Sequence, residues 1–110
     1  MNLNDIFAEE TKTNDKIIQM SLREIDMRNL ANAMLGYSEL GRQAVFRNMP
    51  KRAMKSLLKD MNLRRDQTPV DVIDAASQFF NQKLRKNARL INDTRGSLRK
   101  KIYLPFSGGV

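Results

Sequence analysis

A proline in a helix interior removes an amide donor and clashes with the preceding turn, which favours a break, so Pro50 sets the layout of this chain. It closes the corner Asn48-Met49-Pro50, and helical periodicity begins again directly after it. Ala53, Met54, Leu57, Leu58 and Met61 follow at spacings of one, four, five and eight, the repeat of a helix with one apolar side. Between them Lys51, Arg52, Lys55, Lys59 and Asp60 form a charged ridge on the opposite side.

The segments before the corner read as helical support. Asn2 to Glu10 forms a short, weakly anchored helix with Leu3, Ile6 and Phe7 on one side, and Thr11 to Asn14 is a polar break. Thr13 or Asn14 caps the next helix, Asp15 suits its positive first turn, and Ile17, Ile18, Leu22 and Ile25 mark its stripe. Asp26 caps a third helix carrying Met27, Leu30, Ala31 and Met34, which Gly36 ends in the left-handed conformation. Ser38 caps a fourth, with Leu40, Ala44 and Val45 inward.

Past Met61, Asn62 to Gln67 is a polar loop. Thr68 as N-cap, Pro69 as first helical residue and Asp71 in the first turn start a longer helix. Its stripe is Val72, Ile73, Ala76, Phe80, Leu84, Ala88 and Ile91. Asn92 to Gly96 breaks it, Ser97 to Lys101 adds one basic turn, and Ile102 to Phe106 is an apolar end. Nowhere does a period of two persist. The expectation is an all-α compact bundle of short antiparallel helices, an armadillo-like stack with a longer C-terminal helix. Residues 1–13 are a lead-in, 14–91 the helical domain and 92–110 a basic tail.

At 110 residues this is one domain with a modest core. No run approaches the ~20 apolar residues of a membrane span, and the acidic N-terminus does not read as a secretory signal. The chain has neither cysteine nor histidine. That removes disulfides, Cys/His zinc sites and Ser-His or Cys-His nucleophiles, so the expectation is a cytoplasmic protein that is not an enzyme and holds no cofactor or metal. The net charge of +8 is uneven: residues 1–26 carry three bases against six acids, a net −3, which leaves +11 on the rest. A basic body points to an anionic partner.

Several stretches, in order, resemble the C-terminal domain of the flagellar motor switch protein FliG. Leu22-Arg23-Glu24-Ile25-Asp26 is similar to the family's Leu-Arg-Glu-Val-Asp, and Asn29-Leu30-Ala31-Asn32-Ala33-Met34-Leu35-Gly36 to its Asp-Leu-Ala-Leu-Ala-Leu-Lys-Gly. Arg47-Asn48-Met49-Pro50-Lys51-Arg52-Ala53 resembles its Ser/Arg-Asn-Met-Ser-Lys-Arg-Ala, and Val72-Ile73-Asp74-Ala75-Ala76 its Val-Glu-Glu-Ala-Gln. The resemblance covers residues 14–80 without an insertion. It implies a domain of the rotor's cytoplasmic ring beneath the inner membrane, part of the flagellar basal body, whose helix ridge meets complementary charges on the stator's cytoplasmic loop. By position Arg52 matches the family's ridge arginine and Asp60 the second of its paired acids. Lys59 replaces the first acid, Leu35 a ridge lysine, and Thr68 stands near a further arginine. The family's Gly-Pro-Val turn is replaced by residues 65–70, and beyond Phe80 the resemblance fades at Gln82 and Lys86.

The function implied is a rotor module that contacts rotor or stator proteins through the ridge. Two rivals stay open: a stand-alone adaptor that kept the fold and lost torque, and a basic helical nucleic-acid-binding protein. The bases Lys83, Arg85, Lys86, Arg89, Arg95, Arg99, Lys100 and Lys101 are what favour the last. No DNA- or RNA-binding motif and no aromatic stacking platform accompanies them, so acidic protein, or a weak contact with an anionic membrane surface, fits better. The methionines at 20, 27, 34, 54 and 61 fall on apolar stripes and read as core.

Overall fold

The computed structural model describes residues 2–107 and the side chains of residues 2–93. Six helices and no strand are found among the described residues: α1 Leu3–Ala8, α2 Lys12–Leu22, α3 Met27–Gly36, α4 Glu39–Arg47, α5 Lys51–Arg64 and α6 Val70–Ser107. Side-chain caps start the first four. Asn2, Thr11, Asp26 and Ser38 accept from the amides of Asn4, Asn14, Asn29 and Gly41 at 2.7–3.3 Å, satisfying donors that a helix start leaves free.

α3 is the inner helix: Leu30, Ala31, Asn32, Ala33 and Met34 are all buried. α6 packs on α3 and α2 through Ala76, Phe80, Leu84 and Ala88, four residues apart on one line of the helix. α5 packs on α3 with Leu57 and Met61 inward, and α1 lies on α4. Tyr37 sits between the rings of Phe7 and Phe80, at centroid distances of 5.6 and 5.9 Å. Its hydroxyl donates to Asn81 Oδ1, and burial pushes its pKa well above the usual tyrosine range.

The molecule departs from the sequence expectations at several points. α1 is firmly held, since Ile6 and Phe7 are buried in the core. α2 begins earlier than expected, capped by Thr11, while Asn14 donates its side-chain amide to the carbonyls of Glu9 and Asp5. Leu40 and Val72 are 44% and 42% exposed, because each stands in the first turn of its helix at the edge of the stripe, where no preceding turn covers it. α5 continues into the first half of the expected loop, to Arg64, and residues 65–68 make the turn. The Thr68 hydroxyl donates back to the Arg64 carbonyl instead of capping α6, and the Val72 and Ile73 amides donate to the Pro69 carbonyl as that helix begins.

The expected break at 92–96 is absent from the backbone, and α6 runs on to Ser107. One glycine costs a helix only about 1 kcal/mol relative to alanine, less than a break that forfeits several hydrogen bonds. Arg99, Lys100 and Lys101 lie on this continuation, with side chains outside the described residues.

Gly36 is the last residue of α3 but does not take the left-handed conformation expected. It is itself helical, and a Cβ added there would stand 2.5 Å from Ser77 Oγ and 2.8 Å from Ile73 Cγ2. Glycine therefore permits α3 and α6 to approach, and the same Ser77 Oγ donates to the Ala33 carbonyl at 3.0 Å. Gly36→Ala is expected to cost about 1–3 kcal/mol by overpacking, measured by urea denaturation. Adding Ser77→Ala, which removes the Oγ and leaves a Cβ at 3.7 Å, should return part of that loss. A second substitution without effect would show that space at α6 is not the constraint.

Candidate protein-interaction ridge

α5 is oriented by its apolar line. With Leu57 and Met61 buried and Ala53 and Met54 half-buried against α3, the helix turns Lys51, Arg52, Lys55, Ser56 and Lys59 to solvent. None of these four bases has an ion-pair partner among the described residues. Asp60 behaves differently. It is half-buried, and its Oδ1 accepts from Arg64 Nε at 3.0 Å across one helical turn. The only acid of the expected ridge is thereby neutralised, and the face α5 presents is cationic throughout.

The corner before α5 is built from charges that face inward. Arg47 Nε lies 3.2 Å from Asp15 Oδ1 and 3.6 Å from Glu10 Oε1, and its Nη1 donates to the Phe7 carbonyl at 3.4 Å. Asn48 donates to Asp15 Oδ1 at 3.1 Å and to the Ala44 carbonyl at 2.8 Å, and accepts from Gln19 Nε2 at 3.1 Å. The Arg47-Asn48 pair thus ties the end of α4 to α1 and α2. Arg42 closes the end of α3 through the Met34 and Leu35 carbonyls, at 2.7 and 3.2 Å. Leu35 packs half-buried against the core, away from any ridge role.

The basic residues of α6 divide. Lys83 and Lys86 both pair with Glu24, just past the end of α2, and Lys83 also lies over the Phe79 ring, 5.0 Å from its centroid. Asn87 joins them from the buried side, donating to Glu24 Oε1 and Ser21 Oγ at 2.9 Å each. Arg85 and Arg89 are exposed without ion pairs among the described residues. The sequence reading missed Arg64, Arg47 and Glu24. Asp60 and Arg64 are four apart, the spacing of a helical ion pair, so that contact carried a local signal. The other two join residues 32 or more positions apart and carried none.

Met34 and Met61 are buried and Met20 and Met54 half-buried, whereas Met27 is 41% exposed. Among the described residues no three acidic side chains converge as metal ligands would, and no helix is long and apolar enough to cross a membrane.

A helical domain that holds one charged helix outward on a packed support is the class this fold defines. Residues 4–90 match the FliG C-terminal domain family, and the chain belongs to that family. Over 55 residues, half of this chain, it is 46% identical to the flagellar motor switch protein FliG of Thermotoga maritima. The matched region is 16% of that protein's length. No solved structure gives a significant match.

The Glu24 cluster has a pH signature. Hydrogen bonds from Lys86 and then Asn87 favour the carboxylate and hold its pKa below the ordinary value of 4.5. The folded state therefore binds fewer protons here than the unfolded chain. The stabilisation is present above the unfolded value and lost as pH falls through the lower folded one. Thermal melts between pH 7 and pH 3 should show wild type losing more stability on acidification than Glu24→Gln. Equal losses would mean that the cluster does not couple to folding.

Proposed function

We propose that this chain is a non-catalytic module of the flagellar rotor, placed at the cytoplasmic face of the inner membrane, whose α5 ridge binds an acidic surface of a partner protein. The supporting observation is the single sign of the ridge. Lys51, Arg52, Lys55 and Lys59 are exposed with no ion-pair partner among the described residues, while Asp60 is held by Arg64. The resemblance implies a ridge of mixed sign in the family, contacting the stator's cytoplasmic loop. Here Lys59 stands in place of an acid, so the complementary surface is one rich in Asp and Glu. Complementary charge steers encounter and selects partners more than it adds affinity, so this contact is fast, salt-sensitive and orientation-dependent.

The basic residues of α6 support a protein partner over nucleic acid. Two of them are committed to Glu24, which leaves fewer bases to follow a phosphate backbone.

A fluorescent fusion of the chain, expressed in its own flagellated cells, tests the reading. Foci at flagellar bases are expected, and the pair Lys55→Glu with Lys59→Glu should lower swimming speed or focus intensity several-fold. Diffuse fluorescence, or motility and foci indifferent to the charge reversal, would contradict the proposal.

A further inference from the structure

α2, the start of α3 and the α4–α5 corner enclose a second surface with its own chemistry. They form a groove of about 420 Å³ with a largely apolar lining that includes Leu22, Ile25, Met27, Leu30 and Met49. Gln19 and Arg23 line this groove and also an adjoining depression of about 410 Å³, where Lys12 and Lys16 stand along α2. The two make one trough. Gln19 fixes its wall by donating to Asn48 Oδ1 across the gap.

The free charge along the trough has one sign. Lys12, Lys16 and Arg23 are exposed and have no ion-pair partner among the described residues. The one acid among the lining residues, Asp15, is bonded to Arg47 and Asn48, and Glu24 beside Arg23 is held by Lys86 and Asn87. Where the trough reaches Pro50, α5 opens with Lys51 and Arg52 and has no acid in its first turn, so the positive end of that helix adds to the same field.

We propose that this trough docks an acidic amphipathic helix of a partner protein. Apolar side chains at i, i+3 or i+4, and i+7 would seat on Leu22, Met27 and Met49, with flanking Asp or Glu meeting Lys12, Lys16 and Arg23. The floor alone would accept any apolar helix, and the cationic rim makes the choice, since a basic helix would meet only like charge. The net charge of +8 disfavours a second copy of this chain as the occupant. The site is separate from the outward ridge, because Lys55 and Lys59 line neither part of the trough. It therefore stands or falls independently of the rotor assignment.

The probe is a labelled helical peptide of ~18 residues with Leu on one face and Glu elsewhere. The controls are the same peptide with Lys for Glu and a shuffled sequence of identical composition. Binding to the full chain is read by fluorescence anisotropy, and its location by amide chemical shifts. The Leu/Glu peptide should bind, with shifts centred on Gln19, Leu22, Arg23, Met27 and Met49. Lys16→Glu with Arg23→Glu should weaken it about tenfold or more while circular dichroism and the melt stay unchanged, and Lys55→Glu with Lys59→Glu should have little effect. Absence of binding, equal binding of either control, shifts centred on the outer face of α5, or indifference to the Lys16 and Arg23 changes would each overturn the proposal. So would self-association of the chain that occupies the same residues.

Discussion

The contact between α3 and α6 carries the rest of the molecule. The middle of α3, from Leu30 to Met34, is buried, and Gly36, beside Ile73 and Ser77, allows the two helices to approach closely. α5 rests on α3 through Leu57 and Met61, so the direction of its charged face is inherited from that contact. A change in the α3–α6 spacing would therefore reach the ridge without touching any of its residues. Core contacts are bistable or rigid rather than continuously deformable, which is how a sub-ångström shift could become a change in presentation.

The charged residues sort into two populations. Arg42, Arg47, Asp15, Glu24, Asp60, Arg64, Lys83 and Lys86 satisfy carbonyls, amides and one another inside the fold. Lys12, Lys16, Arg23, Lys51, Arg52, Lys55 and Lys59 are exposed on α2 and α5 without such partners among the described residues. Three acids and five bases are engaged in this way, so what marks the surface is where its free bases gather, along α2 and α5. Arg47-Asn48-Met49-Pro50-Lys51-Arg52-Ala53 joins both populations in seven residues. Its first two anchor the corner, and its Lys-Arg pair starts the ridge.

Local signals were readable in the sequence and distant ones were not. Asp26 and Ser38 cap helices as their positions relative to the apolar stripes indicate, because a cap acts on an amide three residues away. The all-α fold and the family were readable as well, the resemblance over 14–80 falling within the matched 4–90. Gly36 was read as a helix stop because glycine serves both left-handed turns and close approaches, and its own letter does not say which. The helix through 92–96 was hidden by weighing Asn, Asp and Gly one at a time against a cooperative structure. Arg47 with Asp15, and Lys86 with Glu24, are tertiary pairings that no spacing rule reaches.

The central claim is that the ridge charges are free of the fold while the corner charges build it. Equilibrium unfolding of two variants tests this most directly: Lys51→Gln, Arg52→Gln, Lys55→Gln and Lys59→Gln combined, and Arg47→Gln alone. The account predicts that the fourfold variant keeps wild-type stability to within about 0.5 kcal/mol per site, as exposed substitutions do. It predicts that Arg47→Gln loses about 1–3 kcal/mol, because Asp15 and the Phe7 carbonyl lose a charged donor. A fourfold variant whose loss per site equals that of Arg47→Gln would contradict it.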